Sequence, residues 1–407
     1  MKQHDLASTI SRFVINKNEL FEIAKNIKSI ANLITIIDCI HFGLNTYKQK
    51  TVLEIDSVVD YLHEELNTGH WSDVPISIRQ CFTIASFIKC LILLKVADKF
   101  DINLLQTALK SIDLGLLLGA PLNLNEELLT DTAKYLALEI DELRSDSSTS
   151  NIKIGNEPLD MSVYKNLIAK EIPIVNIPSL EQFNESYFIP QIPVKLKGCM
   201  DQWPACKRWL NVNYLLKIAG DRTVPIEIGS HYLDENWSQK LMTLKDFISK
   251  HYLSKDGDIG YLAQHNLFDQ ITELKEDILI PAYCALTLES ENSTEPDVNA
   301  WLGPKGTVSP LHFDPKNNLL CQVYGTKQII LFSPEDSEYL YPHKGNFVSN
   351  SARVNPIDPD YNTFKKFSKA TPFKCLLEPG EMLFIPIKWW HHVTALEKSF
   401  SVSFWWM

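Results

Sequence analysis

Along the first third of the chain, apolar residues recur at three- and four-residue spacing. After about residue 156 they fall into short runs bounded by Pro, Gly and Asn. The first pattern predicts helices over 19–47, 51–67, 76–97, 103–118 and 126–143, separated by breakers such as Asn67-Thr68-Gly69 and Gly119-Ala120-Pro121. Helices joined by such short connections pack as an antiparallel bundle or a short solenoid. The second pattern predicts strands over 172–177, 194–196, 223–228, 307–311, 319–323, 328–332, 382–385 and 400–405, with helical pieces at 212–219 and 244–252. Between the two patterns lies SDSSTSNIKIGN, a small polar stretch at 145–156 that reads as a linker. The expectation is an α+β chain. An all-α domain (1–144) and a linker (145–156) precede a double-sheet jelly roll with a few flanking helices (157–407). The helical part reads either as a partner-binding or dimerising module or as a structural support for the jelly roll.

Composition narrows the class. The 407 residues are 45% hydrophobic and 22% charged, an ordinary globular balance with room for a sizeable core. A net charge of −11 means the bulk surface does not attract nucleic acid, and a mildly acidic body suits a basic peptide or protein partner. The eight cysteines include no C-x-x-C pair, which argues against zinc fingers and thioredoxin-like chemistry. With no leader-like segment after Met1, the expectation is a reduced, intracellular protein of the nucleus and/or cytoplasm. The most apolar stretch, 81–97, carries Lys89 and Lys95. It reads as too short and too charged for a membrane span, and as a buried helix instead.

Candidate chemistry concentrates in two places. Ser309-Pro-Leu-His-Phe-Asp carries His312 and Asp314 two positions apart, a spacing that turns both side chains to one face of an extended strand. The stretch PGEMLFIPIKWWHHV, from Pro379 to Val393, brings His391 and His392 after a Pro-Gly turn and an apolar strand that is expected to pair back across the barrel. Two histidines and a carboxylate on one face of a metal leave open positions for an oxoacid and dioxygen, the pattern of non-haem Fe(II) oxygenases. Adjacent strand residues face opposite ways, so only one of His391 and His392 can join His312 and Asp314, and spacing alone does not say which.

The segment LFIPIKWWH, ending at His391, resembles the second-histidine signature of the Jumonji-C oxygenases, in which the first histidine after the tryptophans is the ligand. Further stretches are similar to one subgroup, the Jumonji-C protein five or lysine-specific demethylase eight group. They are VPIEIGS from Val224, DIGYLAQH from Asp258, NAWLGP from Asn299 and the ending SFSVSFWW. The likeness covers about 170–407 strongly and extends more weakly to DLGLLLGA from Asp113. It implies a cupin-like double-stranded β-helix with Fe(II) held by His312, Asp314 and His391. It implies 2-oxoglutarate as cosubstrate, held by Lys327, Tyr261 and Ser309 at its far carboxylate and by Asn318 near its chelating end. It also implies a substrate side formed by Glu227, Trp237, Gln264, Trp301 and Trp405. A carboxylate among aromatic planes suits a guanidinium group. Phe313 departs from the pattern, since close relatives carry a polar residue between the two ligands; on a strand it faces away from the metal. The implied reaction couples oxidative decarboxylation of 2-oxoglutarate by dioxygen to hydroxylation of a substrate C–H bond. Three functions compete: a protein hydroxylase acting on arginine, an N-methyl-lysine demethylase acting on histones, and a non-catalytic scaffold that binds through its helices. The chain lacks Cys/His-rich chromatin-reader modules, which favours the first.

Overall fold

The computed structural model describes residues 3–25, 49–144, 159, 161–229, 231–234, 236–254, 258–288, 295–345 and 348–407. They form two compact units. One comprises 1–149 with 217–223 and 270–272; the other comprises 150–216, 224–269 and 273–407. The linker expected at 145–156 and most of the helix expected at 19–47 lie outside the described residues.

The first unit contains helices α1 (Gln3–Ser11), α2 (Lys17–Lys25), α3 (Gln49–Leu66), α4 (Ile76–Val96), α5 (Ile102–Leu118) and α6 (Leu128–Leu143). Asp101 caps α5 by accepting from the Leu104 N–H, 3.0 Å away. Helix α4 is apolar nearly all round because it runs through the middle of the unit, against α1, α2, α3 and α5. At 21 residues it is long and apolar enough to cross a membrane, so length does not set it apart as the run 81–97 suggested; its burial among the other helices does. Asp113 on α5 is fully buried. Its carboxylate accepts from the Arg222 guanidinium at 2.8 and 2.9 Å, the Gln270 amide at 2.9 Å and the Thr223 N–H at 2.6 Å. A buried carboxylate is tolerated only when its lone pairs are satisfied in this way.

The second unit is built on two sheets. The small sheet has the order β1 (Lys170–Glu171), β11 (Phe373–Leu377), β10 (Lys327–Phe332), β13 (Trp390–Ala395), β8 (Val308–His312). The large sheet has the order β2 (Ile174–Asn176), β3 (Val194–Lys197), β12 (Met382–Ile385), β9 (Asn317–Tyr324), β14 (Ser399–Trp406), β7 (Asp297–Gly303), β6 (Gly260–His265), β4 (Thr223–Ile228), β5 (Ser238–Thr243). The sheets pack face to face as the expected jelly roll, with Ile329, Leu331 and Val393 of the small sheet meeting Leu320, Leu383 and Ile385 of the large one. The alternate residues of the small sheet, Ile330, Phe332, Leu311 and Trp390, point outward under Leu340, Val354 and Phe367. Both faces of β10 in the small sheet are therefore covered, and its residues 329–332 read as a continuous apolar run.

Several strands escape the sequence pattern for identifiable reasons. Of the run 172–177 only 174–176 becomes a strand, β2 of the large sheet; Pro173, which has no N–H for a ladder, separates it from β1 of the small sheet. Strand β5 is a largely exposed edge with the polar sequence SQKLMT. Strand β13, WHHVTA, has polar residues on both faces and so shows no alternation. The strand before His391, β12, pairs with β3 and β9 in the large sheet, whereas His391 lies in the small one. The chain changes sheet across 386–389, so 382–385 pairs with β9, the strand that follows Asp314, while His391 itself joins β8.

Gly325 makes the corresponding change of sheet between β9 and β10. Its φ is +72°, and a Cβ there would lie 2.1 Å from the Lys398 carbonyl oxygen. Only glycine fits this turn, which sets where Lys327 enters the small sheet. Gly325→Ala is expected to destabilise the protein by about 3 kcal/mol. Urea denaturation checks this; a loss below about 1 kcal/mol would show that the turn relaxes freely.

Candidate metal centre and cosubstrate pocket

Strands β8 and β13 run antiparallel with His391 directly opposite His312. Asp314 follows two residues after His312, beyond the end of β8, where its carbonyl accepts from the Lys388 N–H at 3.0 Å. The shared facing of His312 and Asp314 thus comes from a turn tied to Lys388 rather than from a continuous strand. The three side chains converge, with one ligand atom from each within 4.8 Å of the others. His312 Nε2 lies 3.8 Å from Asp314 Oδ1, and His391 Nε2 lies 3.5 Å from Asp314 Oδ2. Atoms bound at right angles to one ion at about 2.1 Å sit about 3 Å apart, so a small inward movement would close the set.

The tautomers follow from the hydrogen bonds. His312 Nδ1 is 2.7 Å from the Pro310 carbonyl and His391 Nδ1 is 3.0 Å from the Trp389 carbonyl. A carbonyl only accepts, so each Nδ1 carries the proton and each Nε2 turns a lone pair toward Asp314. Burial, with His312 nearby, holds His391 down to about 4, against the pull of Asp314, so its imidazole is neutral at physiological pH. The approach of His391 to Asp314 is consequently not an ion pair but a lone pair facing a lone pair. Asp314 Oδ2 is buried without a donor. A cation at the centre is what this donor set lacks, and imidazole nitrogen with carboxylate oxygen suits a divalent transition metal.

His392 points the other way, to the outer face of the small sheet, where its Nδ1 is buried and unpartnered. Phe313 also turns outward and packs edge-on against Trp390 at 4.8 Å.

The cavity beside the triad is lined from both sheets. Ser309 and Lys327 come from the small sheet, and Tyr261, Trp301, Asn318 and Trp405 from the large one. Ser309 and His312 are three residues apart and would face opposite sides of a regular strand. A bulge between His391 and Val393 shifts the register of β8 against β13, and both turn inward. Lys327 is 1% exposed, and among the described residues its Nζ reaches only the Tyr261 hydroxyl, at 3.3 Å. Desolvation pushes its pKa down to about 7. Asn318 Oδ1 and Trp405 Nε1 are buried and unpartnered. A buried amine, hydroxyls and unpaired amide and indole groups form a receptor for a polar anion. The cavity itself is tight, about 20 Å³, so a larger guest enters as lining side chains rotate aside.

Of the candidate substrate residues, Trp301 and Trp405 line this cavity, and Trp301 donates to Ser403 Oγ at 2.8 Å. Glu227 stands opposite Tyr261 in the β4–β6 pairing. Burial raises its pKa; the Trp237 indole approaches it and offsets part of the rise without closing a well-formed hydrogen bond. Gln264 lies outside the cavity, exposed at a bulge of β6 with φ +45°. Tyr232 was missed by the sequence reading. Its ring stands edge-on to His312 at 6.4 Å and its hydroxyl meets Ser351 Oγ at 3.0 Å. It belongs to an irregular loop, and no periodic signal marks it.

Fold and site together define a jelly-roll protein with a two-histidine, one-carboxylate centre. Comparison with known proteins narrows the class. Residues 180–407 match the model of the cupin-like domain. The chain is 39% identical to lysine-specific demethylase 8 of Xenopus tropicalis, over 86% of this chain and 87% of that protein. It is 40% identical to Jumonji C domain-containing protein 5 of Drosophila melanogaster, over 89% of each. A more distant relative, tRNA wybutosine-synthesizing protein 5 of Gallus gallus, is 28% identical over 58% of the chain. The chain belongs to the Jumonji-C family of cupin-like 2-oxoglutarate-dependent oxygenases, in the group of lysine-specific demethylase 8 and Jumonji C domain-containing protein 5. It is an enzyme of that class, and the scaffold reading is set aside.

His391→Ala is expected to lower iron affinity at least about a hundredfold, beyond the effect typical of an outer partner, while His392→Ala keeps the metal. Metal analysis after desalting checks this. Equal iron occupancy in the two variants would overturn the choice of ligand.

Proposed function

We propose that this protein hydroxylates arginine side chains of a protein substrate, with Fe(II) held by His312, Asp314 and His391. In this reading Lys327, Tyr261 and Ser309 hold the far carboxylate of 2-oxoglutarate, and Asn318 lies near its chelating end. Iron, 2-oxoglutarate and dioxygen together supply the oxidant that replaces a C–H hydrogen by hydroxyl, with succinate and carbon dioxide as coproducts. The protein binds the two carboxylates, keeps both imidazoles in the ligating tautomer and excludes water from the cavity.

The observation that carries the arginine reading is Glu227. It is largely buried, its carboxyl is pushed up by desolvation, and among the described residues it has no cationic partner. A guanidinium would satisfy both carboxylate oxygens and lie flat between indoles, which Trp237 and Trp301 offer. Gln264, on its exposed bulge, would contact the flanking peptide. The second reading, demethylation of N-methyl-lysine, is favoured by the names of relatives such as lysine-specific demethylase 8. A methylated ammonium would also answer the charge of Glu227, but it cannot fork onto both oxygens.

The acidic net charge of −11 is compatible with a basic protein partner and not with direct binding of nucleic acid. Seven described cysteines are unpaired, as in a reducing compartment, and the reading places the protein in the nucleus or cytoplasm. In the same reading 1–144 is a helical domain and 157–407 the catalytic one.

Incubating the iron-loaded enzyme with 2-oxoglutarate and arginine- or methyl-lysine-containing peptides separates the two chemistries. Mass spectrometry is expected to show one added oxygen on arginine. Formaldehyde release with loss of a methyl group would transfer the assignment to demethylation. Glu227→Gln is expected to reduce kcat/KM for the arginine peptide about a hundredfold and to leave 2-oxoglutarate affinity unchanged.

The depressed pKa of Lys327 gives a pH signature. Without a bound anion the amine is charged below about pH 7 and neutral above it. A bound carboxylate favours the ammonium form and raises the pKa, so binding takes up a proton above about pH 7. Affinity for 2-oxoglutarate should therefore fall by up to about tenfold per pH unit above that point. Calorimetry in buffers of different ionisation enthalpy measures the uptake. A flat affinity from pH 7 to 9 would remove Lys327 from the role.

A further inference from the structure

The small sheet has a second face, and it too carries unsatisfied polar groups. Along β10 and β13 the residues alternate, so each inward group has an outward neighbour: Lys327 with Gln328, and His391 with His392. Gln328 and His392 line a separate cavity of about 780 Å³ between the outer face of the sheet and the segment around 352–357. Its size is that of a small-molecule site. Gln328 is 2% exposed and its Oε1 has no partner; His392 is 5% exposed and its Nδ1 has none. Two unpartnered polar atoms on neighbouring strands are costly unless something answers them.

The remaining walls define what that would be. Val308, Leu311 and Val354 make an apolar body. Lys305 and Arg353 are exposed at the cavity's edge, and the Arg353 guanidinium lies 5.8 Å from the Phe364 ring, which also lines the space. No aspartate or glutamate is among the lining residues. The charge is therefore of one sign at the edge, with apolar walls and hydrogen-bonding groups within.

We propose that this outer cavity is a second ligand site, for a small organic carboxylate with an apolar body and a polar far end. The carboxylate faces Arg353 and Lys305, and the far end meets Gln328 and His392. A short aliphatic diacid such as succinate fits poorly, because its two charges leave the apolar walls empty and carry one carboxylate into the interior. The site stands back to back with the candidate metal centre across one layer of sheet, and it does not depend on the assignment of the reaction.

The test uses 4-hydroxyphenylacetate as probe and the full chain saturated with Mn(II) and 2-oxoglutarate, so that the inner cavity is occupied. Titration calorimetry is expected to show one site with a submillimolar Kd. Gln328→Leu and Arg353→Glu are each expected to weaken it at least tenfold without altering 2-oxoglutarate affinity, and succinate at equal concentration should not compete. Arg353 is exposed, so its variant folds even if the buried Gln328→Leu does not, and the melting temperature of each variant without probe verifies folding. Absence of binding up to 5–10 mM (about ten times the expected Kd), loss of the probe as 2-oxoglutarate is raised, or equal affinity in wild type and folded variants would overturn the proposal.

Discussion

His391 lies directly across from His312 because β8 and β13 pair antiparallel, and this register is the constraint on which the rest of the site depends. One residue of slippage would turn His391 outward and His392 inward, since side chains change face at every position. Three features hold the register. Pairing with β10 continues on the far side of β13, where His391 stands opposite Leu331 and Val393 opposite Ile329. The inner face is locked by apolar packing against the large sheet, and the outer face by Trp390 beneath Phe313 and the covering segment. The bulge beside His391 then absorbs the odd spacing that lets Ser309 and His312 share a face.

The architecture was legible wherever burial imposes a period. Helices α3 to α6 keep their three- and four-residue spacing, and the expected bounds differ from the observed ones by one or two residues. Strands whose two faces are both buried stood out as apolar runs in β9, β10 and β12 and as a serine/apolar alternation in β14. What stayed hidden is where function or position removes the pattern. Strand β13 carries histidines on both faces, β5 is a polar edge, and β6 ends in a bulge at Gln264. The histidine pair illustrates the limit. Parity showed that only one of the two can face the metal, but the choice depends on how 386–389 passes from one sheet to the other, and pairing with β8 is what orients β13. Tyr232 and the outer cavity were invisible because they arise from loops packing on a sheet, and neither leaves a periodic trace.

The same geometry explains why the centre is electrostatically incomplete. The backbone carbonyls of Pro310 and Trp389 each accept a hydrogen bond from an Nδ1–H, which leaves the Nε2 of each imidazole directed at a carboxylate. Lys327 is buried beside a hydroxyl instead of a counter-ion, and Glu227, partly buried, has no cationic partner among the described residues. Lys327 lines the inner cavity from β10, whereas Glu227 stands on β4 of the other sheet, outside the lining of that cavity. Were they to meet they would neutralise each other and the site would collapse into a structural salt bridge. The fold keeps them on separate strands, so each stays available to a guest of opposite charge.

Such an arrangement costs stability. A buried polar atom without a partner destabilises by about 1–3 kcal/mol, and Asp314 Oδ2, Asn318 Oδ1 and Trp405 Nε1 all fall in that class. The offset comes from the layers on either side: the inter-sheet core around Ile329 and Leu383, and the outer core around Trp390 and Phe367. Leu320, Ile385 and Val393 of the inter-sheet core also line the cavity, but apolar side chains offer no hydrogen bond, so the offset does not quench the unsatisfied atoms. A guest that satisfied those atoms would bind the folded chain and not the unfolded one, and so would add to its stability by mass action. The ligand-free fold is therefore the less stable of the two forms, held in shape by a sheet buried on both faces until its guests arrive.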